Sequence, residues 1–167
     1  RSISVFGFFE VVIRASEFSG GSGLSGGACA LDVSNFEFDQ GDIQPTISVE
    51  RSSFNNNTAT NGSALFINGP VEVSLSDCDF EGNVGAVTGS VYTCEGTRTR
   101  AENVRFVENL SVGNGTGFYL CPSEAETPPV ELTLISSDCT RNFAASGACL
   151  FAGGNAQVSM SDCSFSS

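Results

Sequence analysis

The sequence predicts an all-β protein built as a parallel β-helix, a solenoid of about five to six coils of ~26 residues each. Three observations carry that expectation. A Phe followed three places later by an Asn occurs as FNNN (54–57), FEGN (80–83) and FVEN (106–109), 26 residues apart each time, a period far longer than that of any helix or strand. The segment NGSALFINGPVEVSLSDCDF (61–80) aligns without a gap on SGACLFAGGNAQVSMSDCSF (146–165). Finally, the unit has no helical stripe and is too short for a β-α-β crossover of about 30 residues, but it contains the alternating runs VEVSL (71–75), ELTLI (131–135) and QVSM (157–160) between Gly, Asn and Ser. Alternation bounded by turn residues reads as strands.

Extending the register places each element in order. Residues 1–13, RSISVFGFFEVVI, read as strand without a polar cap. The first marker is Phe18, 36 residues before Phe54, with Gly21 at the Asn position. After Phe106 come Cys139 at a spacing of 33, with Asn142 three places on, and Phe165 a further 26 along. Eight places after the markers stand Gly26, Gly62 and Gly147, and twelve places after them Phe66, Tyr92, Phe118 and Phe151. Two stretches depart from the period and both are acidic: NFEFDQGDIQP (35–45) with Glu37, Asp39 and Asp42, and CPSEAETPP (121–129) with Glu124 and Glu126. They begin at similar places in their coils and so project from one edge, where solenoids carry binding loops. The plain reading is solvated loops; the sharper one is a contact or cation site.

Residues in one column lie about 4.8 Å above one another. Phe54, Phe80, Phe106 and Phe165 are therefore expected to stack inward as aromatic pairs. Asn57, Asn83, Asn109 and Asn142 are expected to form a ladder in which each amide serves its neighbour and the turn backbone.

The paired signatures F-x-x-N and G-G-A-hydrophobic, the latter as GGAC (26–29), GSAL (62–65) and SGAC (146–149), resemble the repeats of the polymorphic outer membrane proteins. The resemblance covers roughly residues 18–165 and implies a right-handed parallel β-helix of the surface adhesin type. No membrane-barrel segment follows, so the bacterial family's secretion mode is not carried over. The chain, beginning at Arg1, reads as one domain over 1–167, a mature or excerpted segment whose uncapped ends either continue into a longer solenoid or are covered by other copies.

Seven Cys with no His and no Cys-x-x-Cys pair favour an oxidising exterior over a zinc site. Cys94 and Cys121 fall at nearly the same place in successive coils, close enough to bridge. A second bridge is expected among Cys139, Cys149 and Cys163, while Cys29 and Cys78 read equally well as buried thiols. Sequons occur at Asn56, Asn61, Asn109 and Asn114. Asn109 belongs to the ladder, so Asn56, Asn61 and Asn114 are the expected glycan sites.

A net charge of −12 argues against nucleic acid and anionic membranes as partners, and no apolar run is long enough to span a bilayer. No cofactor is expected. Catalysis is not expected either: there is no His, no nucleophile motif and no stacked carboxylate cluster, since Asp77 and Asp162 share their column with Arg51, Asn103 and Ser136. The fold-compatible alternative, a polysaccharide-binding or pectin-lyase-like protein, has only TRTR (97–100) as a basic patch. The expected function is an extracellular or cell-surface structural protein. Its copies stack head to tail through Phe6, Phe8, Phe9, Met160 and Phe165 into a fibril or stalk that carries glycans outward.

Overall fold

Period-two runs too short to stand alone must pair, and here they pair with their equivalents one period away. The computed structural model describes the backbone of residues 3–5 and all of residues 10–33, 44–122 and 127–166. These residues are all-β, with no helix and every strand pairing parallel. Four sheets are formed. The first contains Ile3–Val5, Cys29–Asp32, Leu65–Asn68, Val91–Cys94, Phe118–Leu120 and Leu150–Ala152, in that spatial order. The second contains Glu10–Arg14, Thr46–Glu50, Glu72–Ser76, Arg98–Glu102, Val130–Ile135 and Ala156–Ser161. The third contains Glu17–Ser19, Ser53–Asn55, Asp79–Glu81, Arg105–Val107, Asp138–Thr140 and Ser164–Ser166, and the fourth Ser22–Ser25, Thr58–Asn61, Val84–Gly85 and Leu110–Ser111. The fourth is extended by bridges from Leu110 to Phe143 and from Asn114 to Ser146. Through its first four passes the chain visits the sheets in this order and lays each new strand beside the one it left there on the previous pass.

Within the strands the burial alternates, as in the second sheet, where Val73 and Leu75 are buried and Ser74 is exposed. The buried members form one apolar cluster that includes Leu31, Ile47, Leu65, Ile67, Phe80 and Leu132. Phe18, Phe54, Phe80 and Phe106 form one column with ring centroids 4.9–5.1 Å apart. Cys139 and Phe165 continue it by register, but Phe165 lies on the last strand of its sheet and keeps half its surface exposed.

The asparagine column is continuous. The Oδ1 of Asn83 accepts from both the backbone N–H and the Nδ2 of Asn57, each at 3.0 Å, while its own Nδ2 donates to the Phe54 carbonyl at 2.8 Å and to Asn109 Oδ1 at 3.0 Å. Asn109 and Asn142 repeat the pattern. Gly21 does not extend it: its N–H donates to Asn57 Oδ1, and a side chain there would collide with the Gly27 carbonyl, 2.1 Å from any Cβ.

Two turns recur with left-handed backbone. One column holds Ala15, Arg51, Asp77, Asn103, Ser136 and Asp162 at φ between 46° and 53°, and another holds Asn56, Glu108 and Arg141 with Gly20 and Gly82. Only Asp77, Asn103 and Asp162 in the first column are of the types that tolerate this region well. That column was read from sequence only as a place where carboxylates fail to cluster; its conformational role is set by the corner between the second and third sheets.

One register expectation is corrected. Phe118 does not share a column with Phe66, Tyr92 and Phe151; it pairs with Val91, is fully buried, and meets Phe106 edge-on at 5.2 Å. Tyr119 takes the place in the half-exposed stack Phe66, Tyr92, Tyr119 and Phe151, whose centroids lie 4.8–5.5 Å apart. Pairing is offset by 26 at Thr88 and Asn114 but by 27 at Val91 and Phe118, so one extra residue is absorbed around Gly115–Thr116–Gly117. A one-residue shift exchanges the two faces of a strand.

Candidate functional site

The side chains able to do chemistry lie on the outer faces of the sheets. In the second sheet Arg98 stands between two carboxylates in register, Glu72 at 3.2 Å and Glu131 at 3.3 Å, and Arg100 pairs with Glu102 at 3.0 Å. On the third sheet Arg105 binds Asp79 at 2.7 Å, and nearby Arg141 binds Glu108 at 2.9 Å. Arg14 binds Glu50 at 3.0 Å, and this hydrogen bond holds the Glu50 carboxyl below its ordinary range. Both arginines of the TRTR run are thus engaged with carboxylates, which neutralises the basic patch seen in the sequence. Such exposed pairs are screened by solvent and add little to stability. Among the described residues no group of three or more His, Cys, Asp or Glu side chains is placed to hold a metal ion. Glu37, Asp39, Asp42, Glu124 and Glu126 lie outside the described residues, as do Phe6, Phe8 and Phe9.

The outer stack of Phe66, Tyr92, Tyr119 and Phe151 uses its ring faces internally, since neighbouring planes are within 9° of parallel. Solvent meets ring edges and the two phenols. Burial raises the pKa of both tyrosines.

Cys94 and Cys121 form a disulfide with Cα atoms 5.1 Å apart, next to the pair Thr93 and Leu120 in the first sheet. Cys139 and Cys149 form the second, with Cα atoms 5.9 Å apart. Both support an oxidising environment. Cys29, Cys78 and Cys163 are thiols. Cys29 occupies a column otherwise held by Leu65, Val91, Phe118 and Leu150, and burial pushes its pKa up to about 11. Cys78 sits at an inner corner, its Sγ 3.2 Å from the Ser76 carbonyl and 3.5 Å from that of Val49.

The four sequons differ in exposure. Asn56 and its partner Thr58 are both exposed, with Asn56 in a left-handed turn. Asn61 and Asn114 are half-buried, and the hydroxyl residues that complete their sequons, Ser63 and Thr116, are fully buried. Asn109 and Ser111 are both buried.

Two apolar surfaces remain. The edge formed by Leu150–Ala152, Ala156–Ser161 and Ser164–Ser166 exposes Met160 and Phe165 at 50% each, and beside it lies a cavity of about 500 Å³ lined by Cys139, Asn142, Cys149, Leu150 and Phe165. The outer face of the fourth sheet carries Val84, Leu110 and Phe143 in one column, with Val87 and Val112 beside them, all exposed. Nothing in the repeat pattern singled out this face, because its residues vary from level to level.

Among the described residues no helix is long and apolar enough to cross a membrane. In comparisons with family models, with curated proteins and with solved structures, the chain matches none.

Proposed function

We propose that the chain is an extracellular structural or adhesive protein, a right-handed parallel β-helix of five to six coils whose stack continues from one copy into the next. The handedness, the coil count and the likeness to polymorphic outer membrane protein repeats are part of this reading. The observation that carries it is the pair of columns, aromatic and asparagine, that repeat from level to level and offer each further level the same partners. A sheet edge presents unpaired N–H and C=O groups that template further strands, and here it also opens the core. Phe165 and Phe18 are the two ends of one column, so Phe165 of one copy laid on Phe18 of the next extends the aromatic stack. Such a head-to-tail contact need not close and propagates as a fibril or stalk. The two disulfides support placement outside the cell, and the sequon at Asn56 supports glycans as surface decoration.

The pectin-lyase-like alternative wants a basic group free to act on a polysaccharide in an open groove. The pairing of Arg98 and Arg100 with Glu72, Glu131 and Glu102 weighs against TRTR in that role.

Electron microscopy and light scattering on the purified 167-residue chain test the proposal. Rods that lengthen with concentration and shorten in Phe165→Ser are the expected result. A monodisperse monomer whose edge amides at 156–166 are protected from hydrogen exchange would overturn it.

A further inference from the structure

The fourth sheet differs from the other three in charge. The stretches that form its face, 20–28, 56–64, 82–90, 109–118 and 142–150, contain no Asp, Glu, Lys or Arg. The strands of the second and third sheets carry several charged side chains and those of the first carry Asp32, and the chain as a whole has a net charge of −12. The uncharged face is also apolar over three successive levels, with Val84, Leu110 and Phe143 in one column and Phe143 and Val112 each 70% exposed. Below them the same column changes to Ser22 and Thr58.

From this we infer that the fourth sheet is a lateral contact between two copies of this chain, a surface separate from the terminal edge. The occupant follows from charge. Two copies repel through every face that carries carboxylates, and the repulsion is smallest when the uncharged faces meet. A contiguous exposed apolar strip of this kind marks a contact site. Its arrangement is self-complementary about a two-fold axis through the middle level. An antiparallel pair sets Leu110 against Leu110 and the large Phe143 of each copy against the smaller Val84 of the other, as an isologous interface requires. Three levels about 4.8 Å apart and a width of about six residues give roughly 300 Å² per copy, smaller than a stand-alone specific contact. A single pair is therefore weak, and contacts repeated along adjoining stacks strengthen it through effective concentration. Asn56, Asn61, Asn109 and Asn114 all lie within these same stretches, so the contact belongs to unglycosylated copies and a glycan at the exposed Asn56 competes with it.

Sedimentation equilibrium up to about 1 mM tests the inference. A monomer–dimer equilibrium is expected that strengthens severalfold between about 0.05 M and about 0.5 M salt, because salt screens the repulsion between the acidic remainders. Val112→Glu, at a position too exposed to disturb the core, lowers the association constant at least tenfold, whereas Ser74→Glu on the second sheet leaves it within about twofold. Mixing Val84→Glu with Phe143→Arg restores pairing that neither variant shows alone, since the antiparallel arrangement brings these positions together. Thermal melts confirm that each variant is folded. A wild-type chain that stays monomeric at high salt, dimers that survive Val112→Glu, or retention on neutral phosphatidylcholine vesicles in place of self-association would each overturn the inference. Association that is lost in Phe165→Ser and kept in Val112→Glu would assign the contact to the terminal edge instead.

Discussion

Replacing Asn83 tests the physical account of the ladder most directly. Its amide makes four hydrogen bonds in a buried site: Oδ1 accepts from the N–H and the Nδ2 of Asn57, and Nδ2 donates to the Phe54 carbonyl and to Asn109 Oδ1. In Asn83→Ala the buried N–H of Asn57 and the Phe54 carbonyl lose the partners Asn83 supplied, while Asn57 Nδ2 keeps Phe18 O and Asn109 Oδ1 keeps the Asn83 N–H. The unpartnered Asn57 N–H costs about 1–3 kcal/mol, while the Phe54 carbonyl stays within the pairing of its strand with Asp79–Glu81. Asn83→Asp keeps the acceptor but loses both donors and buries a carboxylate, whose pKa burial raises above the unfolded value of about 4. A raised folded pKa means that the charge penalty is absent below about pH 4 and grows as pH rises through the folded pKa. Relative to wild type, the Asp variant is therefore more destabilised at pH 8 than at pH 4, and the Ala variant shows no such trend. Urea unfolding at the two pH values gives the energies, and hydrogen exchange at the Asn57 amide reports the local effect. A loss below about 1 kcal/mol in Asn83→Ala, with Asn57 still protected, would refute the ladder as a source of stability.

Phe80→Ala, which empties the place between Phe54 and Phe106 at 4.9 Å on either side, should cost about 3–5 kcal/mol in the same unfolding assay. Cys29 ionises near pH 11 when folded and near its ordinary value of 9.0 when unfolded, so its contribution to stability is complete below pH 9 and declines by about 2–3 kcal/mol as pH rises to 11; Cys29→Ala should flatten that part of the stability curve. In protein secreted from eukaryotic cells, glycopeptide mass spectrometry should find sugar at Asn56 and none at Asn109, where the amide is inside the ladder; occupancy at Asn109 would contradict the buried geometry.

Much of the architecture could be read from spacing because a constant period turns sequence distance into adjacency. Once Phe54, Phe80 and Phe106 recur at 26, they must lie one above another if the units stack, and the same reasoning brings Asn83 to Asn109, while Cys94 meets Cys121 at a separation of 27, one more than the period. The reasoning failed where the period carried a local defect. The extra residue around Gly115–Thr116–Gly117 is invisible in a comparison of markers, because Phe118 still falls at the expected count, yet it exchanges Phe118 and Tyr119 between core and surface. Gly21 sits at the ladder position as counted, and its N–H donates to Asn57 Oδ1 as the ladder residues' N–H groups do, but the close approach of the Gly27 carbonyl leaves no room for a side chain.

The sequence by itself determined that these strands stack in parallel and, Phe118 and Tyr119 excepted, which residues of the strands face the core, since both follow from periodicity and alternation. The tertiary structure alone decided what the outer surface presents. Outward residues are under no packing constraint, so they need not repeat, and their grouping emerges only when the levels are superimposed. That superposition sets Arg98 between Glu72 and Glu131, separates Asn56 with its exposed Thr58 from the other sequons, and gathers Val84, Leu110 and Phe143 onto one uncharged face.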